Sequence, residues 1–217
     1  MKRRIVRPGA TAAVVGVVGG ATAALAFVVR PWYLRWGASD DEFARALPGD
    51  ELVPRADLAA TRAVTIDATP EQVWPWIAQM GQGRAGLYSY DALENLVGCD
   101  MHSADRVVPE WQDVAVGSDF RLHPDVALEV AAVEPGRALV IRGGVPMGGS
   151  APPYDFAWAF VLEGRPDGTT RLLVRERYGY TRWWSGLLVE PVEAVSFVMS
   201  RRMLSGIKER AEGPAAS

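Results

Sequence analysis

The feature that most constrains this chain lies near its C-terminus, where Glu190 to Glu212 reads as one long amphipathic helix. Pro191 suits the first helical position, where its missing N–H costs nothing, and Glu193 suits the positive end of the helix dipole. Leu188, Val192, Val195, Met199, Met203 and Ile207 recur at spacings of three and four, which draws one apolar stripe along roughly six turns. Such a stripe cannot face water alone. Arg201, Arg202, Lys208 and Arg210 gather in the C-terminal half, where cations complement the dipole. The rest of the chain is therefore expected to supply a surface that wraps this helix.

Upstream, the pattern is that of strands and turns. Val64 and Ile66 alternate with Thr65 and Asp67 from Thr61 onward, which is the period of a half-buried strand. Thr69-Pro70-Glu71-Gln72 reads as a capping box that starts a helix, with Val73, Trp74, Trp76, Ile77 and Met80 on its apolar side and Pro75 kinking it. A second helix is expected at Asp91 to Val97. Then come alternating segments at Asp119–Leu122, Val126–Val130, Ala138–Arg142, Tyr154–Leu162 and Thr169–Tyr178. Turns at Glu134-Pro135-Gly136-Arg137 and Arg165-Pro166-Asp167-Gly168 join them as hairpins of an antiparallel sheet. The order strand, two helices, hairpins, long helix is an α+β pattern in which a curved sheet grips the terminal helix.

The N-terminus carries a different signal. Residues 9–29 contain no charged side chain, and at 1.5 Å per helical residue they reach ~31 Å, about one hydrocarbon core. Four basic residues precede this span, and Trp32, Tyr33 and Trp36 follow it with Arg30 and Arg35, as an interfacial belt does. The heavier basic flank predicts a cytoplasmic N-terminus and a folded domain outside, on a single-pass membrane anchor. Ala24-Leu25-Ala26 offers a signal-peptide cleavage site, but Phe27-Val28-Val29 continues the apolar run and favours an uncleaved anchor. The expected organisation is residues 1–36 as anchor, 37–60 as a linker with a short helix capped by Ser39 and Glu42, and 61–213 as the domain. Six basic residues precede the first acid, Asp40, so residues 37–217 carry a net charge of −9 against −3 for the whole chain. That charge gives no footprint for nucleic acid. One cysteine, Cys99, and two histidines leave no disulfide or zinc framework, and neither metal nor cofactor is expected.

Motifs add little chemistry. Gly81-Gln82-Gly83-Arg84-Ala85-Gly86 matches the dinucleotide fingerprint, but a helix rather than a strand is expected before it, so it reads as a helix stop and loop. Strand parity is more informative: Phe156, Trp158, Phe160 and Leu162 share one face, and Leu172, Val174, Glu176 and Tyr178 share another opposite Arg171, Arg175 and Arg177. Glu176 would be an acid on the inner face, which must be paired, hydrated or neutral. The segment Leu87 to Asp113 mixes aromatic and ionisable groups most densely, with Asp100, His102 and Asp105 able to orient an imidazole.

The order of elements resembles the helix-grip fold of the START-like (SRPBCC) superfamily, which includes polyketide cyclase/dehydrase-like proteins. VTIDATPEQVWPWIAQMGQGRAGLYSYDALENL, HSADRVVPEWQDVAVG and EPVEAVSFVMSRRMLSGIKERAE are similar to its membrane-associated bacterial members. The resemblance implies a cavity between sheet and terminal helix that holds a hydrophobic small molecule or lipid, and it carries no reaction. The first expectation is a membrane-tethered binding module. Alternatives are an enzyme of the cyclase/dehydrase-like type, with His102, Glu94 or Glu176 as acid–base groups and Tyr88 or Tyr90 as donors, and a closed interaction domain. Expected ligand contacts are Tyr88, Tyr90, Glu94, His102, Phe156, Trp158, Glu176, Met199 and Met203. Oligomeric state is not legible.

Overall fold

The computed structural model describes residues 28–146 and 150–213. Six antiparallel strands form one sheet: β1 (Leu58–Ile66), β2 (Asp119–His123), β3 (Val126–Glu134), β4 (Ala138–Gly143), β5 (Tyr154–Gly164) and β6 (Thr170–Tyr180). Their order is β1-β6-β5-β4-β3-β2. The strands from β2 to β6 are thus a meander, and β1 closes its far edge beside β6. A register shift between Val130 and Ala132 in β3 bends the sheet, because an extra residue on one strand increases the local twist.

Among the described residues five α-helices accompany the sheet: α1 (Arg30–Leu34), α2 (Asp40–Ala44), α3 (Pro70–Ala78), α4 (Asp91–Leu96) and α5 (Ser185–Ala211). Both expected capping boxes form, Ser39 with Glu42 at α2 and Thr69 with Gln72 at α3. α5 lies on the concave face. Ile66, Phe160, Leu162 and Leu172 from the sheet share one buried cluster with Val73 and Ile77 of α3 and with Met203, Leu204 and Ile207 of α5. Gly206 lets the Tyr88 backbone run against α5, since a Cβ there would collide with the Tyr88 carbonyl.

The sequence places the start of the long helix too late. It begins at Ser185, so Pro191 lies inside it and Glu193 is buried rather than in the first turn. Ser185 makes the earlier start possible: its Oγ accepts from Arg182 N and donates to Pro153 O. The expected apolar stripe holds only in the C-terminal half. Met203 and Ile207 are buried, whereas Val192 and Val195 are 52 % and 63 % exposed. In the N-terminal half Val189 packs with Leu58, Ala60 and Tyr178 of the sheet, and the side chains that follow it inward are Glu193, Ser196 and Ser200, fixed there by polar contacts described below.

Of residues 37–60, expected as a linker, Leu58, Ala59 and Ala60 already belong to β1, and residues 37–57 lie across the outer face of the sheet. Leu47 packs with Ala63, Val140, Ala159, Val161 and Leu173 in a second cluster. The buried Arg175 guanidinium donates to the carbonyls of Glu42, Phe43 and Arg45 and to Asp50, at 2.7–2.8 Å. Arg171 pairs with Glu42, which holds the Glu42 carboxyl down at about 2. The outward arginines of β6 therefore bind this segment rather than water.

Residues 9–27 of the expected membrane span lie outside the described residues. Among the described residues no helix is long and apolar enough to cross a membrane. The stretch Arg30–Trp36, expected at the membrane interface, packs on the domain: Arg30 pairs with Glu190, Trp32 meets Phe197 edge-on at 5.2 Å, and Trp36 O accepts from Ala63 N.

Candidate functional site: an apolar cavity between sheet and terminal helix

Between the sheet and the N-terminal half of α5 the packing opens into a cavity of about 410 Å³, within the range of small-molecule sites. One wall is an aromatic run on adjacent strands. Phe156 faces Tyr178 across the β5–β6 ladder with ring centroids 4.7 Å apart, and Trp158 lies 4.8 Å from Phe160 further along. Val192, Val195, Ser196, Met199, Ser200 and Met203 form the helical wall. Leu87, Ser89, Glu94, Cys99 and Met101 form a third side, and Gly144 and Val145 of the β4–β5 connection a fourth.

Local hydrogen bonds fix the third side. Asn95 exchanges two with Met101, Nδ2 donating to its carbonyl at 2.9 Å and Oδ1 accepting from its amide at 2.6 Å. Asp91 accepts from the amide and hydroxyl of Ser103. These ties fold residues 97–103 back on α4, so that Met101 and Glu94 turn inward. Ser89 Oγ donates to Met199 O at 3.1 Å and joins this side to α5.

Beneath the aromatic wall lies a buried ionic cluster. Arg62 Nη1 donates to Glu176 Oε1 at 3.0 Å, Arg62 Nη2 pairs with Glu193 Oε1, and Arg62 Nε donates to Tyr33 O. Ser196 and Ser200 hydroxyls donate to the Glu176 carboxylate at 3.0 Å, and Tyr178 Oη lies 3.4 Å from it. Two carboxyls share one guanidinium. Burial, and then the Glu176 charge, push Glu193 up to about 8, while the two acids raise the Arg62 pKa against the cost of its burial. Glu94 stands apart: burial and then Asp91 raise its carboxyl to about 7. Its Oε2, like Glu193 Oε2 and Trp158 Nε1, is buried without a hydrogen-bond partner among the described residues.

Of the expected contacts, the structure brings Glu94, Phe156, Trp158, Glu176, Met199 and Met203 to the cavity. Tyr88, Tyr90 and His102 are not among its lining. Leu87 and Ser89 face the cavity, so Tyr88 between them turns away, edge-on to Trp76, with its hydroxyl accepting from Gln79 Nε2 at 2.8 Å. Tyr90 precedes α4 and is 42 % exposed. Because Met101 turns inward, His102 and Asp100 turn out, and they meet each other at 3.1 Å in solvent. The imidazole–carboxylate pair considered for acid–base work is thus absent from this cavity. Gly81–Gly86 is a closed turn after a helix, with Gly81 and Gly86 bridged to each other.

Sequence reasoning missed Arg62, Glu193, Ser196 and Ser200. Parity held the signal: Arg62 shares its strand face with Val64 and Ile66, and an inward cation is what an inward Glu176 requires. Glu193, Ser196 and Ser200 recur at spacings of three and four, a polar stripe beside the apolar one.

No protein-family model matches this sequence, and no curated protein does. Among solved structures the chain is similar to MLL2253 from Mesorhizobium loti, with 18% identity over 69% of this chain and 96% of that one and a TM-score of 0.41. It is also similar to the hypothetical protein jhp0584 from Helicobacter pylori, with 14% identity, 77% and 96% coverage and a TM-score of 0.47. CalU16 from Micromonospora echinospora matches with 17% identity, 71% and 83% coverage and a TM-score of 0.35. Likenesses this distant assign no activity.

Proposed function

We propose that this chain is a membrane-tethered binding module that holds an apolar small molecule or lipid between its sheet and its terminal helix. The observation that carries the reading is the cavity itself: Phe156, Trp158, Val192, Val195 and Met199 leave about 410 Å³ between elements that pack closely elsewhere. Empty apolar volume of that size forfeits packing energy, and a bound apolar molecule restores it. The sequence resemblance to START-like proteins supports the same use. Tethering is supported by the uncharged residues 9–29 and by the seating of α1 on α5 through Arg30–Glu190. An anchor before Val28 keeps the exposed apolar residues Leu187 and Val198 of α5 near a bilayer.

Native mass spectrometry of the full chain purified from its own membranes is expected to detect a co-purifying apolar molecule. A chain that carries none, and that takes up no added alkyl probe, is a closed domain. For sidedness, protease added to intact spheroplasts is expected to digest the domain, and its survival would place it in the cytoplasm.

A further inference from the structure

We infer that the cavity selects an apolar molecule whose polar group donates hydrogen bonds, a hydroxyl or an amine, and that it excludes anionic amphiphiles such as fatty acids. This rests on the binding-module reading and narrows it to a class of ligand.

The inference comes from counting what the lining offers. Its residues include two carboxyl groups, Glu94 and Glu176, and no lysine, arginine or histidine. The cation behind Glu176 is Arg62, which is fully buried, is not part of the lining and donates to Glu176, Glu193 and Tyr33 O. An incoming carboxylate would meet two acids and find no free positive partner, and burying an unpaired charge beside like charges is strongly unfavourable.

The neutral groups point the same way. Each serine hydroxyl on the lining sends its single proton into the protein: Ser196 and Ser200 to Glu176, and Ser89 to the Met199 carbonyl. A hydroxyl that has donated keeps lone pairs to accept with. The Tyr178 hydroxyl is turned to Glu176 as well, and Tyr154 Oη accepts from Val145 N at 3.4 Å. Donors on the lining are few: the Cys99 thiol, held neutral by burial and then by Glu94, is a weak one, and Trp158 Nε1–H is buried and unpartnered among the described residues. What the cavity mainly shows a ligand is therefore acceptors, serine oxygens and carboxylate. A hydroxyl or amine at one end of a hydrocarbon satisfies them; a carboxylate or phosphate, which only accepts, leaves those acceptors unmatched and sets its charge beside theirs.

The test uses the full chain in nanodiscs and four photoactivatable probes of one chain length: dodecane, dodecanol, dodecylamine and dodecanoate, each with a diazirine on the alkyl chain. Probe concentrations are set so that all four are equal in the bilayer, the pH is 8, and labelling is read on peptides from β5 and α5 by mass spectrometry. Expected is labelling by the alcohol and the amine at least about tenfold above the acid and severalfold above the alkane. Glu94→Gln, which removes a lining charge, is expected to raise labelling by the acid severalfold relative to the alkane, and an unchanged ratio would overturn exclusion of the acid by the lining charge. Acid labelling equal to or above that of the alcohol overturns the exclusion of anions, and alkane labelling equal to that of the alcohol overturns the donor requirement. In both cases binding itself stands. Failure of all four probes to label these peptides overturns the binding-module reading as well.

Discussion

Where the closed end of the concave face sets Phe160, Leu162 and Leu172 in one cluster with Leu204 and Ile207, each 3 % exposed or less, the other end sets Phe156 and Tyr178 near Ser196 and Met199 and leaves a cavity. The strands and the helix are the same at both ends. The difference lies in what α5 turns to the sheet. Its C-terminal half presents Met203, Leu204 and Ile207, which interdigitate with the strands. Beyond Val189, which packs with Leu58, Ala60 and Tyr178, its N-terminal half presents Glu193, Ser196 and Ser200, which bind Arg62 and Glu176. Small and polar side chains hold the helix in place without filling the space beside it, and Val192, Val195 and Met199 are left to flank the gap. An ionic cluster here fixes position where apolar packing does so at the closed end.

The comparison breaks most severely if the cluster is removed. Arg62→Met leaves Glu176 and Glu193 buried without a cation and is expected to cost roughly 3–5 kcal/mol at neutral pH by denaturant unfolding. A cost below about 1 kcal/mol would mean that the open end does not depend on the cluster.

Truncation on β5 sharpens the contrast between the ends. Phe160→Ala at the closed end is expected to cost roughly 3–5 kcal/mol, whereas Phe156→Ala, beside space that is already empty, should cost less than about 2 kcal/mol. Equal losses would put both residues in one close-packed core.

A smaller effect concerns Glu94. Its folded-state pKa, about 7, lies above the usual carboxylate value, so the native state binds more protons between about pH 4.5 and 7. Stability from this group is therefore present at low pH and is lost as pH rises through that window. Relative to Glu94→Gln, the wild type is expected to lose up to about 1 kcal/mol between pH 4.5 and 7.5, as read by unfolding at each pH. A flat difference would show that the carboxyl stays solvated.

Much of the sheet was legible because each strand alternates cleanly. The inward set Phe156, Trp158, Phe160 and Leu162, the opposed arginines of β6 and the Ser39 and Thr69 caps all follow from local pattern. The terminal helix was legible only in its C-terminal half. Its N-terminal apolar residues have the same periodicity as a core stripe, and only the long-range pairing of Glu193 with Arg62, 131 positions away in sequence, turns that stripe off the sheet. Residues 37–60 read as a linker because their polar composition hides their partners: Arg175 binds backbone carbonyls, and every residue has one of those. Tyr88 and His102 were misplaced for a related reason. Direction in a loop depends on which neighbour turns inward, and no period reports it.

The central claim, that the open end is a binding cavity and not a loosely drawn core, is tested most directly by filling it. Met199→Trp puts a large apolar side chain on the helical wall. If the cavity exists, the variant is expected to unfold at the same denaturant concentration as wild type or higher, while labelling of β5 by the dodecanol probe falls severalfold. If the space is in fact closed, the extra ring overpacks it: stability should drop by roughly 1–3 kcal/mol with labelling unchanged, and that result would contradict the account.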